Sequence, residues 1–487
     1  MSEKSSSEGE FRPVSLLSPV IGTSRSDRLA ATGEGQSVFG LAGADTLTSM
    51  YNHTTLFGGS GDDTIGITLD LVDDLSIEVW DIGAVALGGS GDDTITVDII
   101  GLGFDAPEAN FDVVVCGGSG ADMIDVSTIS DAFGYSVVTN RIFGGSGNDT
   151  ITALAVGGSF FGNESTAINE IDGGSGHDTI TAKATVFSNS SLLARNVLTG
   201  GSGNDVLSAS IHLDSNSAAP VGENILSGGS GHDVLTADQE SDGENDSTTM
   251  TSTLDGGSGH DSMTSTILAL AQSVAAATNT LDGGSGNDVM TASTIAGAYF
   301  PGASAENVLH GGHGSDVMSA YADANAFDDP HAGAVAHNLL DGGNGNDQMT
   351  ATIEAGSSGF SELYGGAGHD SLTVIGGTGN ILEGGSGNDT ITGGDGADRI
   401  TGGAGNDWLT GGASADEFVF ATGDGHDTVA DFEDGTDLIR ITAGVLDFTG
   451  ITVAGQGSDT VLHFANVTVV LTGVDASLID ASDFVFG

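Results

Sequence analysis

The stretch Gly58-Gly59-Ser60-Gly61-Asp62-Asp63 is the first of fifteen copies of one six-residue pattern, Gly-Gly-x-Gly-x-Asp. The last copy is Gly402-Gly403-Ala404-Gly405-Asn406-Asp407. Glycine adopts positive φ without strain, so three glycines in six residues predict a tight turn whose carbonyl groups can converge on one side. The closing aspartates of the copies are Asp63, Asp93, Asp122, Asp149, Asp178, Asp205, Asp233, Asp261, Asp288, Asp316, Asp347, Asp370, Asp389, Asp398 and Asp407.

Each turn combines backbone carbonyl oxygens with one carboxylate. Hard oxygen donors of this kind are the ligands that calcium prefers in proteins. The sequence therefore predicts that multiple Ca²⁺ ions bind, with the fifteen closing aspartates as metal ligands. None of these aspartates is predicted to be catalytic. Four histidines occupy the fifth position of a turn, where Asn, Asp, Ser and Ala also occur, and we expect these side chains to be exposed rather than bound to metal: His177, His232, His260 and His369.

The copies follow two spacings. Between Gly58 and Gly365 the first glycines are mostly 27–30 residues apart, whereas the copies at Gly384, Gly393 and Gly402 follow one another every nine residues. A fixed period of this kind marks a solenoid in which each repeat is one coil. Alternating apolar and polar residues flank the turns, so each turn is predicted to join two strands in coils stacked about 4.8 Å apart. An ion can then be shared between stacked turns.

Asparagine recurs four residues before the turns. Stacked coils would place these amides in a row, and such ladders stabilise stacked strands by bonding each amide to the next. A general preference of asparagine for turns is the alternative explanation. The asparagines of this row are Asn140, Asn169, Asn196, Asn224, Asn279, Asn307, Asn338 and Asn380.

These turns resemble the signature of the RTX (repeats in toxin) family, Gly-Gly-x-Gly-x-Asp-x-apolar-x. The resemblance implies an all-β fold, a right-handed parallel β-helix or β-roll solenoid with calcium bound between stacked turns, and export by type I secretion. Residues 376–415 are similar to the family's nonapeptide array. The longer array departs from it by inserting other sequence into each coil, and there we expect a wider β-helix with ions along one edge only.

Four segments follow from these patterns. Residues 1–30 are predicted to be a flexible N-terminal leader, 31–375 the long-period calcium β-helix, 376–415 the nonapeptide β-roll and 416–487 a C-terminal cap with a secretion signal. A degenerate turn that ends at Asp45 is expected to begin the solenoid as its cap.

Composition limits the partners. The chain has 68 acidic residues against 9 Lys and Arg, a net charge of −59, so nucleic acid and anionic membranes are not expected to bind. Without calcium the aspartates would repel one another, and the chain should be largely unfolded. The only cysteine, Cys116, ends an apolar run and is expected to be a small buried residue.

Localisation is predicted from both termini. Residues 1–20 lack the apolar stretch of an export signal. The final residues, 478–487, resemble the uncleaved signal of type I secreted proteins, with acidic residues followed by apolar ones. We expect secretion through the type I machinery of a Gram-negative bacterium, to the cell surface or beyond, with folding in external calcium.

Three functions stay open. The first is a non-enzymatic structural protein that assembles with itself into a surface layer, fibre or matrix, since the repeats resemble bacterial surface-layer and matrix RTX proteins. The second is a polysaccharide-active enzyme, because Phe327-Asp328-Asp329-Pro330-His331 resembles the Asp-Pro-His core of alginate epimerases, although Ala332 replaces the following acidic residue. The third is an adhesin whose outward threonines bind ice or a glycan, with cell-surface polysaccharide as a further candidate partner.

Overall fold

Two long parallel β-sheets face each other in the computed structural model. It describes residues 17–71, 80–103, 108–132, 134–159, 164–188, 192–215, 219–242, 247–299, 302–326 and 333–487. Within these ranges the only helices are two 3₁₀ turns, Phe448–Gly450 and Ala481–Asp483. None of the helices in this part of the chain has the length and apolar character that crossing a bilayer requires.

The strands in chain order are β1 (Val20–Ile21), β2 (Arg28–Ala30), β3 (Ser37–Ala42), β4 (Thr46–Ser49), β5 (Thr54–Ser60), β6 (Thr64–Asp70), β7 (Trp80–Ser90), β8 (Thr94–Gly103), β9 (Glu108–Ser119), β10 (Met123–Ala132), β11 (Tyr135–Ser146), β12 (Thr150–Ser159), β13 (Ser165–Ser175), β14 (Thr179–Ser188), β15 (Leu192–Ser202), β16 (Val206–Ser215), β17 (Val221–Ser230), β18 (Val234–Ser241), β19 (Ser247–Ser258), β20 (Ser262–Ala271), β21 (Val274–Asp282), β22 (Val289–Ala298), β23 (Ala303–His313), β24 (Val317–Ala326), β25 (Val335–Asn344), β26 (Gln348–Ile353), β27 (Gly359–Ala367), β28 (Ser371–Ile375), β29 (Ile381–Gly387), β30 (Thr390–Gly394), β31 (Arg399–Gly405), β32 (Trp408–Gly412), β33 (Glu417–Phe420), β34 (His426–Val429), β35 (Leu438–Ile441), β36 (Thr452–Gln456), β37 (Asp459–Phe464), β38 (Val467–Leu471) and β39 (Phe484–Phe486).

Sheet A contains the odd-numbered strands from β1 to β35 together with β39, and sheet B contains the even-numbered strands from β2 to β34 together with β36, β37 and β38. Apart from β36 and β37, each strand pairs in parallel with the equivalent strand of the next coil, as β13 does with β15 and β14 with β16. The chain passes from sheet A through a glycine-rich turn into sheet B and then returns. The predicted all-β parallel solenoid is confirmed.

The register brings every coil into line. Gly145 of one turn pairs with Gly174 of the next, and Gly174 with Gly201. Because side chains alternate between the two faces of a strand, this register stacks equivalent side chains into columns. The edge of the solenoid that holds these turns is called the loop edge, and the opposite edge the far edge.

The core is a stack of such columns. Leu198, Leu226 and Leu254 follow one another inside sheet A, and Ile180, Leu207 and Leu235 lie inside sheet B, all at most 1% exposed. At the next inward position of sheet B the residues are small, as at Ala182 and Ala209. The interior is therefore wide beside the loop edge and thin in the middle of the coil.

The asparagine row crosses this thin region as two ladders. Nδ2 of Asn169 donates to Oδ1 of Asn196 at 2.9 Å, and Nδ2 of Asn196 to Oδ1 of Asn224 at 3.0 Å. The other amide proton of each ties the two sheets together, since Asn196 Nδ2 also lies 3.0 Å from the carbonyl oxygen of Ser210 in sheet B. A second run joins Asn279, Asn307 and Asn338.

The prediction that each asparagine of the row bonds to the next is wrong at two places. Ser252 takes the equivalent position between Asn224 and Asn279, where Gln239 reaches across from sheet B to donate to its hydroxyl at 2.8 Å. The last member, Asn380, accepts from the backbone of Ser361 rather than from another asparagine. The ladder therefore tolerates a smaller polar side chain where a neighbouring residue supplies the bond.

Cys116 is also not the buried core residue that was expected. It alternates with the buried Val115 and is therefore on the outward side of sheet A, where it is half-buried. Burial and the nearby carboxylates of Asp122 and Asp149 raise the pKa of its thiol.

Sheet A continues across the predicted segment boundaries. Pairing in sheet A begins at Val20, within the segment predicted to be a leader, while residues 1–16 lie outside the described residues. Sheet A continues through β29 and β31 into β33 and β35, so the long and short coils share one ladder. The antiparallel pairs β36–β37 and β37–β38 follow at the C-terminal end of sheet B.

Replacing a mid-ladder asparagine tests the energetic weight of this ladder. Asn196→Ala removes the partner of Asn169 Nδ2 and of Asn224 Oδ1 inside the core, so we expect it to lower the free energy of unfolding by about 3 kcal/mol. Thr253→Ala, on the outward side of sheet A, should change it by less than about 0.5 kcal/mol. Urea unfolding in saturating calcium measures both. Equal effects of the two variants would contradict a structural role for the ladder.

Candidate metal sites

The turn from Gly200 to Asp205 shows why three glycines are needed. Gly201 and Gly203 have φ of 105° and 130°, and a Cβ on either would collide with the carbonyl oxygen of the equivalent glycine in the preceding coil. At Gly200 a Cβ would lie 2.6 Å from Oδ2 of Asp205 and 2.8 Å from the carbonyl oxygen of Gly228 in the next coil. The missing side chain at Gly200 thus leaves a cradle faced by two oxygen atoms from adjacent coils.

The closing aspartates form one continuous column along the loop edge. The backbone N–H of Asp178 donates to Oδ1 of Asp205 at 2.8 Å, and the N–H of Asp205 donates to Oδ1 of Asp233 at 2.7 Å. The column, which contains every predicted ligand except Asp398, is Asp27, Asp45, Asp63, Asp93, Asp122, Asp149, Asp178, Asp205, Asp233, Asp261, Asp288, Asp316, Asp347, Asp370, Asp389, Asp407 and Asp427.

The second carboxylate oxygen is buried without a partner. Oδ2 makes no hydrogen bond within the described residues at any of the fifteen predicted ligands, nor at Asp45 and Asp416. A buried, unpaired carboxylate oxygen is costly unless a cation meets it. In the turn above, Oδ2 of Asp205 and the carbonyl of Gly228 face one cradle with no donor between them. The chemistry of these residues therefore fits calcium.

Backbone oxygens are indispensable to such a site. Within the described ranges, no three carboxylate, histidine or cysteine side chains come close enough together to hold a metal ion. Calcium takes six to eight oxygen ligands. The glycine carbonyls must therefore supply the ligands that one or two aspartates cannot. Which residues hold each ion stays a prediction.

A second, shorter column occupies the far edge. Asn380 donates its backbone N–H to Oδ1 of Asp398 at 3.0 Å, Asp398 to Asp416 at 2.9 Å, and Asp416 to Asp437 at 2.9 Å. Asp398 thus lies apart from the other predicted ligands, because two nonapeptides make one coil and their turns alternate between the edges. Asp416 was not predicted, since Ser414, with a φ of 94°, replaces the last glycine of its turn.

The fifth residues of the turns form a further ladder that the sequence interpretation missed. The N–H of Asn204 donates to Nδ1 of His177 at 2.6 Å, that of His232 to Oδ1 of Asn204 at 2.8 Å, and that of His260 to Nδ1 of His232 at 2.7 Å. The predicted exposure of these histidines is confirmed. The sequence does carry a signal for this ladder: the fifth position of nearly every turn is Asp, Asn, His or Ser, each of which has a side-chain acceptor.

Burial changes the acidity of the column. Desolvation, joined by neighbouring carboxylates and opposed by the backbone hydrogen bond, raises the pKa of Asp93 and Asp288 to about 7. The same causes raise the pKa of Asp149, Asp178 and Asp233 to about 6. Without a cation, this fold therefore favours protonated aspartates.

Comparison with known proteins agrees with this geometry. The chain matches the family described as RTX calcium-binding nonapeptide repeat (4 copies) over residues 31–65, 139–155, 166–184, 194–211, 221–243, 276–293, 333–352, 355–380, 375–409 and 392–429. This chain is an RTX-repeat protein. RTX nonapeptide repeats bind calcium, so calcium is its metal and the repeats provide multiple copies of the site. No curated protein matches the sequence.

Two solved structures are similar to parts of this RTX protein. The crystal structure of an extracellular lipase from Serratia marcescens has 19% identity and a TM-score of 0.22, over 43% of this chain and 40% of the lipase. The solution structure of a subunit of the Azotobacter vinelandii mannuronan C5-epimerase has 24% identity and a TM-score of 0.15, over 31% of this chain and 78% of the subunit. At TM-scores this low, neither likeness indicates an activity for this chain.

The segment with an enzyme-like motif lies elsewhere. Phe327-Asp328-Asp329-Pro330-His331, the motif that resembles an epimerase core, falls outside the described residues.

Position along the column should decide the effect of losing an aspartate. Asp205→Ala removes the acceptor for Asp178 and an oxygen of the cradle, so we expect it to destabilise the calcium-loaded chain by at least about 2 kcal/mol. Within the part of the chain that the structure describes, Asp27 accepts no hydrogen bond from an earlier coil, and its Oδ2 is already bonded to the backbone N–H of Thr23 at 2.6 Å. Asp27→Ala should therefore cost less than about 1 kcal/mol. Calcium-dependent unfolding in urea compares them, and equal losses would contradict the shared column.

The raised pKa values predict an unusual pH dependence. Between the ordinary aspartate pKa of 3.8 and the folded values of about 6 and 7, the folded calcium-free chain binds more protons than the unfolded chain. Its stability should therefore rise as the pH falls through this window and decline as the pH rises to 7. Circular dichroism in chelator should show more β structure at pH 5 than at pH 7.5, with no such gain in saturating calcium. A calcium-free signal that falls on acidification would refute this.

Proposed function

We propose that this RTX protein is a secreted, calcium-dependent structural protein that folds outside the cell and assembles with itself into a surface layer, fibre or matrix. The observation that carries the proposal is the unbroken column from Asp27 to Asp427, which holds nearly the whole described chain in one register. A repetitive rod presents the same surface many times. Contacts that are weak singly then add up along its length.

Calcium links folding to the outside of the cell. The many buried carboxylates of the column make the calcium-free fold unfavourable at neutral pH, and calcium that binds only the folded state stabilises it. RTX repeats are typical of secreted proteins. The chain would stay unfolded at low cytosolic calcium and fold in the higher calcium concentration outside.

The C-terminal residues form part of the folded sheet. The segment predicted to be a type I secretion signal includes β39, which pairs in parallel with β35 as the last strand of sheet A. Phe484 is 7% exposed in that position. A secretion machinery could bind these residues in the unfolded chain, and their folding into the sheet would then remove them from reach.

Imaging and light scattering test the assembly. The purified full-length chain should remain monomeric in chelator and form fibres or sheets when calcium is added. Magnesium at the same ionic strength is the matched control and should not produce them, because magnesium rarely occupies sites built mainly from protein oxygens. A calcium-loaded chain that remains monomeric at high concentration would contradict the proposal. Binding to a glycan or to ice by that monomer would favour the adhesin instead.

A further inference from the structure

The outward face of sheet B carries a long strip without charge, formed by two neighbouring rows. The row beside the loop edge is Thr150, Thr179, Val206, Val234, Ser262, Val289, Val317, Gln348, Ser371, Thr390 and Trp408. The second row is Thr152, Thr181, Ser208, Thr236, Thr264, Thr291, Ser319, Thr350, Thr373, Thr392 and Thr410. These two rows are called the neutral strip.

The centre of the neutral strip is apolar and open to solvent. Val206 and Val234 are 44% and 42% exposed, and after Ser262 the row continues with Val289 and Val317 at 48% and 42%. Eleven coils at about 4.8 Å each make the strip about 50 Å long. Large apolar side chains gathered in one exposed row mark an interaction surface more often than scattered ones do.

The outward face of sheet A carries acidic side chains in the same coils. One stacked column there carries Asp172, Asp255, Asp282, Asp341 and Glu383. The chain as a whole has a net charge of −59. Two copies that approach through sheet A would bring like charges together without water, which is unfavourable. The neutral strip avoids this cost, because threonine and valine lose little when water leaves them.

We propose that the neutral strip is the contact between copies: the strips of two calcium-loaded chains pack against each other about a twofold axis. This inference rests on the proposed self-assembly and assigns its surface. A twofold pairing is self-complementary, so the same rows serve both partners. The valines of the central coils would be buried by their counterparts, and the threonine hydroxyls beside them could bond across the contact.

Charge substitution tests the assignment on the full-length, calcium-loaded chain. Val234→Glu combined with Val289→Glu places two carboxylates on the strip. The matched control, Val197→Glu combined with Thr253→Glu, adds the same charge on the outward side of sheet A, where the two residues are likewise two coils apart. Circular dichroism first verifies that each variant gains the wild-type β signal with calcium. Sedimentation or light scattering should then show association weakened at least about tenfold in the strip variant, with the control close to wild type.

Cross-linking tests the contact directly and does not depend on added charge. In a Cys116→Ser background, Thr264→Cys on the strip should yield covalent dimers with calcium under mild oxidation, whereas Thr253→Cys on sheet A should not. Wild-type association with an unaffected strip variant and no Thr264→Cys dimer would overturn the strip while leaving self-assembly in place. A wild-type chain that never associates would overturn both. Retention of a glycan or ice by a monomer, lost in the strip variant, would assign the strip to that ligand and overturn the copy contact.

Discussion

The structure depends on how each turn divides the two oxygens of its aspartate. Oδ1 accepts the backbone N–H of the preceding coil, as Asp205 does from Asp178, and this bond sets the stacking of the coils. Oδ2 is left buried with no hydrogen-bond partner in the described residues and needs a cation. Stacking therefore buries a charged oxygen that needs a cation. A calcium ion bound there neutralises the charge and so stabilises the stacking of the coils. Folding and metal binding become one process.

The need of each buried polar group for a partner also explains why the coil can change its length. In the short coils the column at the far edge holds Asp398 and Asp416, whose Oδ2 atoms are also unpaired. In the long coils this column continues as asparagines such as Asn196 and Asn224, whose amides bond to one another and to sheet B. A neutral amide both donates and accepts hydrogen bonds, so stacked amides pair with one another without a cation. The far edge of the long coils can therefore carry inserted sequence, while the loop edge keeps its aspartates throughout.

Much of this could be predicted from the sequence, because glycine and aspartate at fixed spacing have few structural explanations. The parallel solenoid and the stacking of fourteen predicted ligands in one column follow from period and turn chemistry alone. The beginning of the described column at Asp27 could not, since its turn keeps only the first glycine, Gly22, and has Thr23 and Arg25 in place of the other two. Cys116 was misplaced because one residue of register decides which face of a strand a side chain takes. The ladder of fifth residues was missed because acceptor chemistry, rather than residue identity, is what those positions share.

Calcium between stacked turns is expected to hold the solenoid together. A calcium titration of the chelator-treated, full-length chain, followed by far-ultraviolet circular dichroism at pH 7.5, tests this most directly. We expect a cooperative gain of β structure that chelator reverses and that magnesium does not reproduce. A strong β signal in chelator that calcium leaves unchanged would show that the carboxylate columns are stable without metal and that calcium does not hold the solenoid together.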